Sequence, residues 1–419
     1  MNLDAIQSAV REAGLDGWLF ADFRRSNPVA HAILGLPEQA FFSRRWAYYV
    51  PAQGTPTKLV SAVESHVLDS LPGEKRVYRT WQQYEEVLRE LLSGARRVAM
   101  EYVPNNAIPY SSRVDAGTVE LVRSLGPEVV PSADFAQAFE AVLTPEQIEG
   151  HRAAGRALER ARDRLLPWLR AELEAGTGRP PDAENGRPPD APTLDEYQVQ
   201  RKLAALMEAE GLHLDEAEMP LVAVNGNAAN PHYAPNAERH APVKRGDVLL
   251  IDWSARLPGE YTIFADYTYM VYLGTRDEPR YQRANELFQV IRRARDAGIA
   301  LLEERFKSGQ RIAGYEVDDA VRAVVTDAGY GEAFVHRTGH NIATTVHGNG
   351  AHLDNLETHD TRPLLANTIT SMEPGIYLPD EDIGVRTEVD VILLPNGQGV
   401  EVTGERQEEV LPLFGSAAA

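Results

Sequence analysis

Four acidic side chains stand where strands would normally be apolar. Asp252 interrupts the run Val248-Leu249-Leu250-Ile251, and Asp266 lies in a second strand-like run, 261–273. Leu257-Pro258-Gly259 offers a turn between them, so a hairpin would bring the two carboxylates together. Glu373 lies in TITSMEPGIY, before a Pro-Gly turn, and Glu388 lies in the β-rich GVRTEVDVILL. Buried carboxylates repel one another and resist desolvation, so such a group needs a proton, a fixed cation or a metal. The plain alternative is a set of edge-strand acids facing water.

Five of the eleven histidines fall between His336 and His359, around the core HRTGHNIATTVH. A His-x3-His pair is weak evidence by itself. Four carboxylates and one imidazole converging from β-rich segments carry more weight. Mostly oxygen donors suit divalent cations such as Mn²⁺ or Co²⁺ and do not exclude Zn²⁺. Four acids can also bridge two such ions, an arrangement that activates water and grips an attacking or leaving oxygen.

The order Asp, Asp, His, Glu, Glu with these flanks resembles the pita-bread metallopeptidases (peptidase M24, Xaa-Pro branch), which include prolidase and aminopeptidase P. The matching segments are GDVLLIDWS, ADYT, HRTGH, MEPGIY and GVRTEVDV, with TPEQIEGHRAAG at the start of the domain. The resemblance implies an α+β pita-bread catalytic domain over 144–419 behind a smaller creatinase-type α/β domain over 1–140. It implies two divalent metal ions, Mn²⁺ first, on Asp252, Asp266, His340, Glu373 and Glu388, with Asp266 and Glu388 touching both. Glu373 would also be the general base. His232, His336 and His347 would hold substrate and stabilise the intermediate, and Tyr377 and Arg386 would orient the metal-bound aspartate.

The implied activity is hydrolysis of the bond before proline, in Xaa-Pro dipeptides first and in longer peptides, as by aminopeptidase P, second. A dipeptidase needs a cation for the free carboxylate, and Arg337, Arg386, Arg44 and Arg45 are the candidates. A non-catalytic interaction module on the same fold is the alternative of another class; such relatives lose metal ligands, whereas all five positions are intact here. The partners implied are short proline-containing peptides and a second copy of the chain, as a homodimer.

Some positions depart from the family's pattern. Asp252 and Asp266 are 14 residues apart, more than is usual, and LPGEY is expected to lengthen the turn. Asn341 and Ala343 replace common glycines, and Gly348 replaces a common acid; all three are expected to line the approach to the metals. His352 and His359 match no family role and are expected in exposed loop.

The elements that must position these groups are legible as alternating patterns. Leu3, Ile6 and Val10 mark a first helix stopped by Gly14, and Trp18-Leu19-Phe20 begins a buried strand. Strands are expected at 47–50 and 97–100, a helix at 84–92, and a helix–strand pair over 119–130, an α/β alternation. Thr144 and Pro145 open a long helix. A Pro- and Gly-rich stretch, 176–193, repeats GRPPDA and reads as a surface loop. Helix returns at 194–210, strands dominate 221–274, helices 280–328, and mixed strand and loop follow.

Composition sets the outer limits. The chain has 419 residues, a net charge of −20 and no cysteine. That charge argues against nucleic acid or an anionic membrane as partner. The absence of cysteine removes disulfides, thiolate metal sites and a cysteine nucleophile. With no apolar leader in MNLDAIQSAVREAG and no long apolar run, the expectation is a soluble cytoplasmic protein.

Overall fold

Apolar residues at every second position of the strands, and at helical spacing beside them, fix the architecture. The computed structural model describes residues 1–37, 39–176, 194–214, 219–231, 233–259 and 261–415. His232 and the GRPPDA repeat lie outside the described residues. The chain divides into two units, Met1–Val142 and Leu143–Ala419.

The first unit runs α1 (Leu3–Glu12), β1 (Gly17–Asp22), α2 (Pro28–Leu34), β2 (Trp46–Pro51), β3 (Thr57–Ser61), β4 (Glu74–Tyr78), α3 (Trp81–Leu91), β5 (Arg97–Met100), α4 (Ala116–Ser124), β6 (Glu128–Pro131) and α5 (Ala133–Glu140). Its six strands lie in the order β4-β3-β2-β1-β5-β6. One core packs Ile6, Val10, Val29 and Ala136 against Trp18, Phe20, Tyr48 and Val50. The other packs Tyr84, Leu88, Val119 and Val122 against Leu19, Ala21, Ala47 and Tyr49. Alternate residues of β1 and β2 thus feed opposite layers, as the strand period requires. Strand β4, EKRVY, escapes sequence reading because its residues are mostly polar and exposed, as suits the edge of a sheet. Helix α3 begins earlier than its apolar pattern, because the Thr80 side chain accepts a bond from the Gln83 N–H and starts it there.

The second unit holds α6 (Pro145–Glu174), α7 (Glu196–Ala209), β7 (Leu221–Val224), β8 (Val248–Ala255), β9 (Ala265–Tyr272), α8 (Pro279–Ser308), α9 (Gly314–Asp327), β10 (Asn341–Ile342), β11 (Ile369–Met372), β12 (Gly375–Leu378), β13 (Ile383–Arg386), β14 (Val389–Leu393), β15 (Val400–Thr403) and β16 (Leu411–Pro412). Strands order as β16-β9-β8-β7 in one sheet, β10-β11-β14-β15 in another, and β12-β13 as a hairpin. Helix α6 starts with the expected Thr144 cap, closed into a capping box by Gln147. Along β8, Leu249, Ile251 and Trp253 enter a core shared with α6 and α7. Val248 and Leu250 enter the core shared with α8 and α9. Asp252 therefore emerges on the α8 side of the sheet. Among the described residues no helix is long and apolar enough to cross a membrane.

One buried carboxylate ties this unit's first helices to its sheet. Glu196, fully buried at the start of α7, accepts bonds from Val224 N (2.7 Å), Ala241 N (2.7 Å), Asn227 Nδ2 (3.0 Å) and the Tyr233 hydroxyl (2.5 Å). Removing it would leave several buried donors without a partner. Glu196→Ala is expected to cost about 3 kcal/mol or more, measured by denaturant unfolding of the metal-free protein; a loss under about 1 kcal/mol would contradict this account.

Candidate metal centre

Strand register decides which acids meet. In the antiparallel pair β8–β9, Asp252 lies opposite Thr268 and Asp266 opposite Ser254, so the two aspartates are diagonal neighbours on one face. Thr268 forms a bridge with Glu388, which brings the segment between β13 and β14 onto the same hairpin. Across the second sheet, the His340 N–H donates to Ser371 Oγ (2.9 Å), and that hydroxyl donates to Glu373 Oε1 (3.1 Å).

The result is a close group of acceptors. Asp266, His340 and Glu388 are buried, and each offers a ligand atom within 4.8 Å of the others. His340 Nδ1 lies 3.3 Å from the Asn341 carbonyl, which can only accept, so the proton belongs on Nδ1 and the Nε2 lone pair faces the carboxylates. That Nε2 is 3.6 Å from Asp266 Oδ2 and 3.4 Å from Glu373 Oε1. Asp252 and Glu373 are partly exposed and complete the group. Lone pairs aimed at one another in a buried site are repulsive unless a cation stands between them. The donor set, four carboxylates and one imidazole, fits a divalent metal.

The electrostatics point the same way. Burial pushes Asp252 up to about 6 against the pull of Arg386, with the charge of Asp266 adding. Asp266 is likewise pushed up to about 6 by burial, opposed by Arg386. Burial raises Glu373 and, with the charges of Asp266, Glu373 and Asp252, raises Glu388 far more. Burial lowers His340.

Arg386 is the fixed cation inside the group. Burial opposes its charge, yet Tyr377, Asp252, Glu388 and Glu373 hold it protonated. It pairs with the Asp252 carboxylate and donates to Thr268 Oγ1 (3.1 Å) and to the Tyr377 hydroxyl (3.2 Å). Thr268 in turn donates to Glu388 Oε2 (2.7 Å). His336 lies at the end of this chain: its Nδ1 is 2.7 Å from the Arg337 carbonyl and its Nε2 is 2.7 Å from the Tyr377 hydroxyl. Nδ1 must therefore donate, leaving Nε2 to accept from Tyr377. Burial, with the charge of Arg386 beside it, holds this imidazole neutral by pushing it down to about 3.

The other expected residues are placed as follows. His347 is exposed, its ring 4.3 Å from that of His340. His359 is exposed as expected, but His352 is fully buried, because its ring and main chain are bonded into the fold between Asn341 and Asp360. Asn341 is buried as well. Its Oδ1 accepts the Gly350 N–H (2.9 Å) and its Nδ2 donates to the Ile369 carbonyl (3.0 Å). Its side chain is therefore built into a turn instead of lining an approach to the centre. A Cβ at Gly348 would lie 2.3 Å from that Oδ1, so a side chain there would displace the Asn341 amide from its bonds. Arg44 and Arg45 belong to the first unit, where Arg45 stacks over Tyr84 at 4.6 Å.

Three further residues escaped the sequence reading. Thr268 and Ser371 are the hydroxyl links described above. Asp390, fully buried, accepts the Asp266 N–H at 2.9 Å and is held well above the usual carboxylate range by burial and the charge of Asp266. Each sits two residues from a member of the acid group, the strand period that keeps neighbours on one face. A polar residue at that spacing inside an apolar strand was the available signal.

The chain is similar to known proteins in sequence and in fold. Residues 149–394 match the sequence profile of metallopeptidase family M24. A Xaa-Pro dipeptidase of Pyrococcus furiosus is 28% identical over 206 residues, 48% of this chain and 52% of that protein. The chain thus spans about half the length of such curated relatives. Among solved structures, dipeptidase PepE of Mycobacterium ulcerans superposes with a TM-score of 0.67 at 23% identity, covering 98% of this chain and 96% of its own. The X-Pro aminopeptidase of Thermotoga maritima gives 0.56 at 21%, covering 97% and 99%. The fold is the α+β pita-bread arrangement.

The raised carboxylates have a consequence for stability. Folded Asp252 and Asp266 keep their protons to about pH 6, whereas unfolded aspartates lose them near 4. The metal-free folded state therefore binds more protons than the unfolded state between those values, so its stability falls as pH rises through that window. Thermal unfolding of chelator-treated protein should show a lower Tm at pH 7 than at pH 5.5. Added Mn²⁺ should raise the Tm at pH 7 and do much less at pH 5. A Tm at pH 7 unaffected by any divalent cation would contradict the metal centre.

Proposed function

The chain belongs to metallopeptidase family M24, and from that membership and the acceptor cluster we propose that it hydrolyses the peptide bond before proline, with Xaa-Pro dipeptides as its first substrates. The observation that carries the reading is the convergence of Asp266, His340 and Glu388, with Asp252 and Glu373 beside them. Two divalent ions, Mn²⁺ or Co²⁺ ahead of Zn²⁺ on oxygen-rich donors, would be held by these five residues, Asp266 and Glu388 being shared. When bound, they supply a nucleophile at neutral pH and polarise the scissile carbonyl.

The chain's own groups do the rest. Glu373, steadied by Ser371, accepts a proton from the attacking water and returns it to the proline nitrogen, which must leave as an amine. His347 donates to the carbonyl oxygen as negative charge develops. Arg386 keeps Asp252 charged and oriented, and the Tyr377–His336 chain keeps Arg386 in place. In this reading His336 supports the centre through Tyr377. The five intact ligand positions speak against a non-catalytic module.

Preference for dipeptides rests on Arg337. The charge of Arg337 acts on both His340 and Glu373. A cation whose charge reaches those two residues suits the free carboxylate of a dipeptide.

Metal-stripped enzyme restored with Mn²⁺ or Co²⁺ is expected to cleave Ala-Pro or Leu-Pro faster than Ala-Pro-Ala. Arg337→Ala should raise KM for the dipeptide by about 10- to 100-fold, the loss of a charged hydrogen-bonded contact, and change the tripeptide little. Faster release of the first residue from the tripeptide would make the enzyme an aminopeptidase P. Cleavage of neither would remove the proline specificity.

A further inference from the structure

The segment that carries His347 is held by a closed ring of buried hydrogen bonds. Asn341 begins it: its carbonyl accepts from Gly348 N (2.7 Å) and its Oδ1 accepts from Gly350 N (2.9 Å). Arg362, fully buried, donates to the Asn349 carbonyl (2.6 Å) and the Gly350 carbonyl (2.9 Å). Its guanidinium also forms a two-point pair with Asp360, at 2.9 and 2.6 Å. Asp360 Oδ2 accepts the His352 N–H (2.8 Å), and His352 Nδ1 accepts the Asn341 N–H (3.0 Å). The ring closes on the residue next to His340.

Two features show that the fit is tight. Helix α9 begins against this ring so closely that a Cβ at Gly314 would lie 1.7 Å from the His352 carbonyl. The Leu353 carbonyl accepts the Thr338 N–H (3.0 Å), so the chain next to His352 is also tied to the segment leading into His340. The Asn341 N–H has one acceptor here, a ring nitrogen. Since Nδ1 accepts, the imidazole is the Nε2–H tautomer.

We infer that His352 is a positioning residue: with Asp360, Arg362 and Asn341 it fixes the turn 348–350 and so sets the His347 imidazole against His340. The inference deepens the proposed peptidase reading and rests on it for the role of His347. A buried ring of this kind is worth more whole than in parts, so loss of one member should release the others. Displacing a catalytic group by about 1 Å can lower a rate about 100-fold.

The test compares His352→Leu, His352→Asn and Asn341→Ala. Asparagine offers an oxygen where the imidazole offers Nδ1, so it can still accept from Asn341. His352→Leu is expected to lower kcat about 10- to 100-fold with KM nearly unchanged, and to speed amide hydrogen exchange across 341–350 in the metal-free protein. His352→Asn should restore both. Asn341→Ala should act in the same direction, and the double variant Asn341→Ala/His352→Leu should be no worse than the worse single one. Exchange across 341–350 that stays at the wild-type rate in His352→Leu would overturn the inference, as would additive losses or failure of asparagine to restore. A purely structural role would lower Tm while leaving kcat of the folded enzyme intact. If His352→Leu does not fold, His352→Asn against Asn341→Ala decides the matter by the same two readouts. If the wild-type enzyme cleaves no proline peptide, the functional reading fails, while the exchange measurement still judges the ring.

Discussion

Repulsion among buried carboxylates is the constraint around which the second unit is arranged. Asp266, Glu388 and Asp390 are buried, and Asp252 and Glu373 stand beside them. Such a group cannot remain ionised in a protein interior without compensation. One guanidinium, Arg386, is fixed inside it, already pairing with Asp252. The remaining charge is balanced by protons in the metal-free state, which is why the carboxyls are raised, and by cations when these are bound. Stability and metal affinity therefore depend on the same groups.

Holding such a group together calls for stiff supports, and the structure supplies them as short polar links at strand spacing. Thr268 spans Arg386 and Glu388, Ser371 spans His340 and Glu373, and Asp390 grips the main chain of Asp266. Ligand residues are oriented by partners of this kind, and such partners tune their basicity as well. The histidine-rich segment follows the same logic at larger scale. Asp318, fully buried on α9, accepts from Thr338 N (3.1 Å) and Asn355 N (2.8 Å). Backbone that carries imidazoles through irregular structure is thus satisfied by charged side chains where no ladder is available.

Two of the departures from the family pattern, Asn341 and Gly348, are fitted to each other. Asn341 brings a side-chain amide into the space beside Gly348, so a larger residue at 348 would have to displace it. The main-chain N–H of residue 341, which a glycine there would carry too, is accepted by His352 Nδ1. Read one at a time, these positions suggested altered access to the metals. Read together, Asn341 and Gly348 belong to the hydrogen-bonded turn that follows His347.

The sequence by itself determined the fold class and the family, and it pointed to five residues whose types suit a metal, three of which, Asp266, His340 and Glu388, converge in the structure. Acids inside apolar strands are costly enough to stand out wherever they occur, and capping and strand periods are local signals. It also determined helix α6, because Thr144, Pro145 and Gln147 act within a single turn. Tertiary structure alone decided what depends on register and on partners distant in the chain. Thr268 is an ordinary strand residue until the pairing sets it against Asp252 and Glu388. His352 reads as a loop histidine until Asn341 and Asp360 enclose it. The partners of His336, the Arg337 carbonyl and the Tyr377 hydroxyl, are likewise set only by the fold. A side chain's type is written in the sequence, but the partner that sets its proton, its charge and its direction is chosen only when the strands pair.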